Sequence, residues 1–229
     1  MTEKKSFVGY LMLCCVLSVV NCKLKNFKIL TEWRDMEFAF PSEFQKQGDT
    51  RNGHYTPGNS FPIDVDVDYS EKTSSNLLIH LFSFNRFLNL FADVKGTRVF
   101  VTMPRFSSGV PITLGVISPT QKTMVQPYPN YMMQSSHGSN CEHITSVVRI
   151  FIDKCKRLWV LDTGKIGDEW YCSPQLLVFD LGTDQLIHRY RFPSNVFKKD
   201  TSLFVTPVRT KRIHCTSEIF MEFCNFLFR

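Results

Sequence analysis

The chain has 229 residues, which is enough for one large all-β domain or two smaller ones. Hydrophobic residues make up 43% and charged residues 21%, a composition that excludes an intrinsically disordered chain. The net charge of +6 is only mildly basic, and the densest basic cluster is Arg209, Lys211 and Arg212. We therefore expect no nucleic-acid partner.

The N-terminus has the pattern of a secretory signal peptide. Lys4 and Lys5 precede an apolar run from Phe7 to Val20, and a basic segment followed by a short apolar core is typical of such leaders. The run is shorter than the roughly 20 apolar residues of a membrane-spanning helix, so we expect no stable membrane span. A buried core helix is the alternative. The pattern predicts a leader over residues 1–22 and a secreted, extracellular protein.

The next segments in chain order are a polar stretch and a strand. The stretch from Pro41 to Asn59 contains strong turn signals and is interpreted as a loop. Apolar and acidic residues then alternate over Ile63–Tyr69, which predicts a strand with one buried face. Its three alternate aspartates are typical of the solvated face of a strand, and a metal site is the alternative.

From Thr97 onward the sequence predicts strands joined by turns. Two single strands are followed by two hairpins; the predicted strands are Thr97–Met103, Pro111–Ile117, Ser146–Ile152 with Arg157–Leu161, and Gln175–Asp180 with Gln185–Tyr190. Short strands separated by about 8–12 residues favour a sandwich, a barrel or a propeller, and the pattern does not choose among them.

Two Phe-rich segments, Thr73–Val94 and Val208–Arg229, interrupt this pattern. Neither has a clean amphipathic face or the length of a membrane span. One hypothesis is a hydrophobic helix that packs on the domain or on a membrane. The other is translated non-coding sequence, because pyrimidine-rich intron DNA would encode Phe, Leu and Ser.

The residues that could carry chemistry have plain structural interpretations. Asp162 is a candidate acid of a central channel, but its carboxylate is expected to cap the turn at Thr163-Gly164. Trp159 is expected to pack rather than to stack on a ligand. Ser146, His143 and Asp153 are not predicted to form a catalytic triad, because no motif of the G-x-S-x-G type surrounds any serine. Catalytic residues therefore stay unknown.

No cofactor is predicted, since the chain has no Gly-rich phosphate loop. A zinc site at His137, Cys141 and His143 is not expected either, because the spacing is irregular. Five cysteines follow the leader: Cys141, Cys155, Cys172, Cys215 and Cys224. An oxidising compartment favours disulfides among them, although five is an odd number.

Several runs of sequence resemble the N-terminal half of the insect yellow and major royal jelly protein family. They are FKILTEWRDMEFAFPSE, GHYTPGNSFPIDVD, RVFVTMPRFSSGVPITL, CEHITSVVRIFIDKCKRLWVLDTG and CSPQLLVFDLGTDQLIHRYRFP. The resemblance implies an all-β fold, part of a six-bladed β-propeller with four-stranded antiparallel blades. It implies a secreted protein of cuticle or melanin pigmentation, or one that binds small aromatic amines and catechol-derived ligands without catalysis. The alternative is a dopachrome-converting isomerase or tautomerase.

The resemblance also sets the expected disulfide and domain boundaries. Cys141 and Cys155 both lie in family-like sequence, so a Cys141–Cys155 disulfide is predicted. The partner of Cys172 stays open, and a cysteine in the remaining part of the family pattern is one candidate. The remaining two cysteines, Cys215 and Cys224, are expected to lie outside the native framework.

Residues 23–207 are expected to form the N-terminal part of the propeller, interrupted by an atypical insert at 73–94 and followed by a non-family tail at 208–229. At about 40–45 residues a blade, the stretch Thr97–Pro207 makes only two to three blades. We therefore expect an incomplete propeller whose ligand residues lie elsewhere, and sequencing the transcript across both Phe-rich segments tests this expectation.

Overall fold

The computed structural model describes residues 29–33, 35–68, 80–84, 87–91, 98–117 and 124–197. The predicted leader and the tail at 208–229 lie outside these ranges. In chain order the elements are β1 (Ile29–Trp33), β2 (Glu37–Phe38), α1 (Glu43–Arg51), β3 (Asp64–Asp68), β4 (His80–Phe84), β5 (Phe87–Phe91), β6 (Arg98–Thr102), β7 (Leu114–Ile117), β8 (Met124–Pro127), β9 (Val147–Ile152), β10 (Arg157–Asp162), β11 (Lys165–Ile166), β12 (Glu169–Trp170), β13 (Gln175–Asp180) and β14 (Gln185–Arg191).

The first sheet is built on the antiparallel strands β3, β6, β7 and β8, with β2 added in parallel beside β8. Val65 lies opposite Val101, and Val67 opposite Val99. These β-branched residues suit a pleated, buried surface. The strand predicted over Ile63–Tyr69 is thus confirmed.

The second sheet is a four-stranded antiparallel meander in the order β9, β10, β13, β14. Both of its predicted hairpins are confirmed. Strand β10 is buried at every position, because it lies at the centre of the sheet with a packed layer on each face.

Apolar side chains form three layers around the two sheets. One layer covers the outer face of the first sheet, with Met36 and Phe38 packed on Val99 and Val101. A second layer fills the space between the sheets and is built by Phe100, Leu114, Ile150, Leu158, Val160, Leu177 and Phe179. The third covers the far face of the second sheet, around Trp159 and Leu161. Two antiparallel sheets stacked in this way confirm the all-β prediction, and within the described residues they do not close into a ring.

Helix α1 was not predicted, since Pro41–Asn59 was interpreted as a loop. The Ser42 side chain accepts a hydrogen bond from the backbone N–H of Gln45 at 3.1 Å. Ser followed three residues later by Gln is a capping-box pattern, so the signal for a helix start was present. The helix is polar and carries one buried side chain, Asp49, and hydrophobic periodicity therefore could not reveal it.

The helical interpretation of Thr73–Val94 is wrong for the part that the structure describes. Strands β4 and β5 pair antiparallel, and β5 also pairs with β1 in a separate three-stranded sheet. Phe favours strands, and pairing with a partner strand outweighs the helix propensity of Leu.

Candidate functional site

Loops gather at one end of the two sheets, and we call this the loop end. It comprises four loops, residues 54–63, 103–113, 128–146 and 163–174. Loops 54–63 and 128–146 lead into β3 and β9, and loops 103–113 and 163–174 join β6 to β7 and β10 to β13. The loops bind one another directly: Gly167 N–H donates to Arg105 O at 2.8 Å, and Thr56 N–H donates to Gly109 O at 3.0 Å. Loops held on a rigid sheet are where proteins most often place function.

Asp162 lies at the centre of the loop end and is fully buried. Its carboxylate accepts four hydrogen bonds, from the backbone N–H groups of Thr145 (2.8 Å), Ser146 (2.7 Å) and Gly164 (3.0 Å) and from Gln175 Nε2 (2.9 Å). The bond to Gly164 confirms the predicted turn cap. Four donors on two oxygens occupy the acceptor positions of this carboxylate, which therefore holds the loops together.

Arg105 is the second buried charge of the loop end, and sequence reasoning missed it. Its guanidinium donates to four backbone carbonyls: Val110 (2.9 Å), Pro111 (2.9 Å), Gln134 (2.8 Å) and Thr145. Burial lowers the pKa of Arg105 to about 10, against the opposing effect of the nearby Asp162 charge. Arg105 therefore stays charged at physiological pH and joins its own loop, 103–113, to loop 128–146 at a single point.

Asp49 brings helix α1 into the same network. Its carboxylate accepts hydrogen bonds from Gln45 Nε2 at 2.8 Å and from the Tyr131 hydroxyl. Burial first, and then the bond to Asp49, raise the pKa of Tyr131 well above its usual value. The tyrosine is thus a neutral donor that attaches α1 to the loop containing residue 131.

Two histidines stack beside this cluster. The rings of His54 and His137 lie 3.9 Å apart between centroids and 12° from parallel. His137 has φ 46°, and its Nε2 is shielded from solvent with no hydrogen-bond partner among the described residues. Burial first, then the charge of Arg105 and the neighbouring His54 lower the pKa of His137 far below its usual value.

The acidic residues of β3 are neither a solvated face nor a metal site. Asp64 accepts a hydrogen bond from Ile150 N–H at 3.0 Å, and Asp66 accepts one from Ile152 N–H at 2.6 Å. Asp68 is buried and contacts Lys156 Nζ at 2.6 Å. The expectation of solvent exposure failed because β9 is an edge strand, whose N–H groups need acceptors from the neighbouring sheet.

The predicted Cys141–Cys155 disulfide is wrong. Cys141 is bonded to Cys172, with a sequence separation of 31 residues, and Cys155 is disulfide-bonded as well. Gly164 allows this arrangement, since its φ is +70° and a Cβ there would lie 2.1 Å from Cys172 O. The pairing depends on two loops that meet only in the folded protein, so spacing along the sequence could not reveal it.

The residues considered for zinc do not form a site. The Cys141 sulfur is oxidised, so it offers no thiolate to a metal. Across the ranges that the structure describes, no group of three His, Cys, Asp or Glu side chains could hold a metal ion.

The set considered for a triad is likewise structural. Ser146 Oγ accepts a hydrogen bond from Arg105 N–H at 2.9 Å, and Asp153 accepts bonds from Arg157 Nε and Trp159 Nε1 at 2.8 and 3.0 Å. Trp159 is 4% exposed, which confirms that it packs in the core.

One pair of aromatic side chains at the loop end is open to solvent. The rings of Phe61 and Phe106 lie 6.0 Å apart between centroids, and the residues are 44% and 53% exposed. Phe106 adjoins the β11–β12 turn, because its carbonyl lies 3.8 Å from the position that a Cβ of Gly167 would occupy. Adjacent exposed rings offer a surface on which a flat apolar group can stack.

Comparison with known proteins identifies the family. Residues 145–219 match the family model described as major royal jelly protein. Major royal jelly protein 8 of Apis mellifera is 32% identical over 202 residues, which are 84% of this chain and 41% of that protein. The chain belongs to the yellow and major royal jelly protein family.

Two further relatives of this yellow-type chain show the range of the family. Protein yellow of Drosophila subobscura is 34% identical over 170 residues, covering 71% of this chain and 25% of that protein. Dopaminechrome tautomerase of Drosophila melanogaster is 29% identical over 187 residues, covering 77% of this chain and 34% of that protein. The chain thus spans 25% to 41% of the length of these three relatives.

Two findings bear on where this yellow-type chain works. The disulfide is consistent with an oxidising, extracellular compartment. In the part of the chain described by the structure, no helix is long and apolar enough to cross a membrane.

Proposed function

We propose that this chain belongs to a secreted, non-enzymatic yellow-type protein that acts in cuticle or melanin pigmentation or binds small aromatic amines. Family membership supports a yellow-like role. The observation that favours binding over catalysis is that the buried carboxylates and the buried guanidinium at the loop end and the adjoining helix α1 are saturated with hydrogen bonds. Asp162 accepts four hydrogen bonds, Arg105 donates to four carbonyls, and Asp49 is held by Gln45 and Tyr131.

A tautomerase needs one group to remove a proton from the substrate and another to return it. The Asp162 carboxylate already accepts four N–H bonds, so its acceptor positions are occupied and none is directed at a substrate. The exposed side chains at the loop end include Phe61 and Phe106, which offer contact area rather than proton transfer.

Calorimetry on the secreted full-length protein with dopamine and with serotonin tests the binding proposal. We expect saturable heat with at least one of the two amines. The double substitution F61S/F106S should weaken it if the exposed pair contributes contacts. The matched control is Phe44→Ser, which removes a ring that is 77% exposed on α1. The absence of saturable heat with both amines would reject amine binding.

The second candidate function is dopachrome conversion, which is favoured by the likeness to a dopaminechrome tautomerase. Following the absorbance of dopachrome in the presence of the full-length protein distinguishes the two. We expect the rate of the buffer alone. A clearly faster, protein-dependent rate would overturn the non-enzymatic proposal.

A further inference from the structure

The turn that follows helix α1 contains an exposed asparagine that is followed directly by glycine. Asn52 closes α1, with φ −85° and ψ 1°, and Gly53 follows with φ 72°. Both residues are exposed, and a Cβ built on Gly53 would meet nothing within 4 Å. The sequence has only this one Asn-Gly pair.

The side-chain amide of Asn52 makes no hydrogen bond with the described residues, whereas three other asparagines are held. Asn59 Nδ2 donates to Ser108 O at 3.0 Å. The Oδ1 atoms of Asn130 and Asn140 each accept a backbone N–H at 3.0 Å. No side-chain hydrogen bond holds the amide carbon of Asn52 away from the next backbone nitrogen, and the Gly53 N–H itself makes a long 3.3 Å hydrogen bond to Thr50 O.

We propose that Asn52 is a modification site, where the side-chain amide converts spontaneously to a carboxylate through a cyclic imide formed with Gly53. The Gly53 backbone nitrogen attacks Asn52 Cγ, and a new bond forms between these two atoms. The bond from Cγ to the amide nitrogen Nδ2 breaks, and ammonia leaves with the proton from Gly53. Water then opens the imide at either carbonyl and leaves aspartate or isoaspartate. No oxidant, reductant or enzyme is needed.

The site matters because of what the turn holds. The backbone N–H groups of His54 and Tyr55 both donate to Asp49 O, at 2.8 and 3.0 Å, and the ring of His54 stacks on His137. A carboxylate at residue 52 places negative charge at the helix C-terminus, where the macrodipole disfavours it. Isoaspartate also lengthens the backbone by one carbon just before His54. Conversion therefore loosens the attachment of α1 to the loop end and acts as a slow, irreversible change in the secreted protein.

Ageing the purified, secreted protein at mildly alkaline pH, in water labelled with heavy oxygen, tests this proposal by peptide mapping. We expect progressive loss of the unmodified Asn52 peptide, uptake of the label, and both aspartate and isoaspartate products. The peptides with Asn59 and Asn140 are internal controls and should stay unmodified over the same period.

The variant Asn52→Ser separates the modification from general damage. Its thermal midpoint should hold during ageing, while that of the parent protein falls as conversion proceeds. Two results would overturn the proposal. One is an intact Asn52 in the folded protein when the same bond reacts in urea, and the other is conversion of Asn59 at a rate equal to that of Asn52.

Discussion

The substitution Asp162→Asn is the most informative test of how the loop end is held together. The replacement keeps the shape of the side chain but removes its charge and one of its two acceptor oxygens. In the native protein four donors converge on the carboxylate at 2.7 to 3.0 Å. An amide can accept from only two of them, and its own NH₂ group then faces the other two.

The expected cost follows from these lost bonds. Hydrogen bonds to a charged acceptor contribute about 1.5–3 kcal/mol each, so losing two predicts a decrease of about 3–6 kcal/mol in the free energy of unfolding. Removing one member of a buried charge arrangement costs about 3–5 kcal/mol, and Arg105 would be left without its nearby anion. We therefore expect a decrease of about 4 kcal/mol, a large part of the roughly 5–15 kcal/mol typical of a whole domain.

Urea unfolding followed by the fluorescence of the three tryptophans measures this effect. With a slope of about 2 kcal/mol per molar urea, the midpoint should fall by about 2 M while the slope stays unchanged. Asp168→Asn is the matched control, because Asp168 is exposed in the β11–β12 turn, and it should leave the midpoint in place. A shift below about 0.5 M for Asp162→Asn would refute the view that this carboxylate holds the loops.

The remaining predictions concern sulfur, pH and secretion. Non-reducing peptide mapping should recover Cys141 joined to Cys172, and Cys172→Ser should lower stability by about 4 kcal/mol, the chain-entropy value for a loop of this length; recovery of Cys141 joined to any other cysteine would contradict the pairing. Folding lowers the pKa of His137, so below about pH 6.5 the unfolded state binds a proton that the folded state does not. The free energy of unfolding should therefore be full above that pH and fall by about 1.4 kcal/mol per pH unit below it. His137→Asn tolerates the positive φ and should flatten this slope in urea titrations between neutral pH and about pH 5, and an unchanged slope would assign the effect to other groups. N-terminal sequencing of protein secreted from insect cells should begin near Lys23, and an intact Met1 in the cytosol would contradict the leader.

The strands could be predicted because their signals are local. The alternation over Ile63–Tyr69 and the polar link at Asp153–Lys156 each span only a few residues. A signal of that length is enough to predict a strand or a hairpin. The turn cap at Asp162 was predictable for the same reason, since its acceptor and donor are two residues apart. Helix α1 also had a local signal at Ser42 and Gln45, but its polar composition hid it.

Tertiary structure alone decided which partners the polar and sulfur atoms take. The β3 aspartates face the edge of β9, 86 residues away along the sequence for the Asp64–Ile150 bond, so their alternation was compatible equally with exposure and with burial. Cys141 meets Cys172 because their two loops pack closely at Gly138, where a Cβ would lie 2.5 Å from Tyr171 Cβ. Arg105 carried no distinguishing pattern in the sequence, yet it binds four carbonyls from two loops. A sequence determines where a strand can form, whereas the acceptor of a buried charge is set by the packing of segments that are distant along the polypeptide.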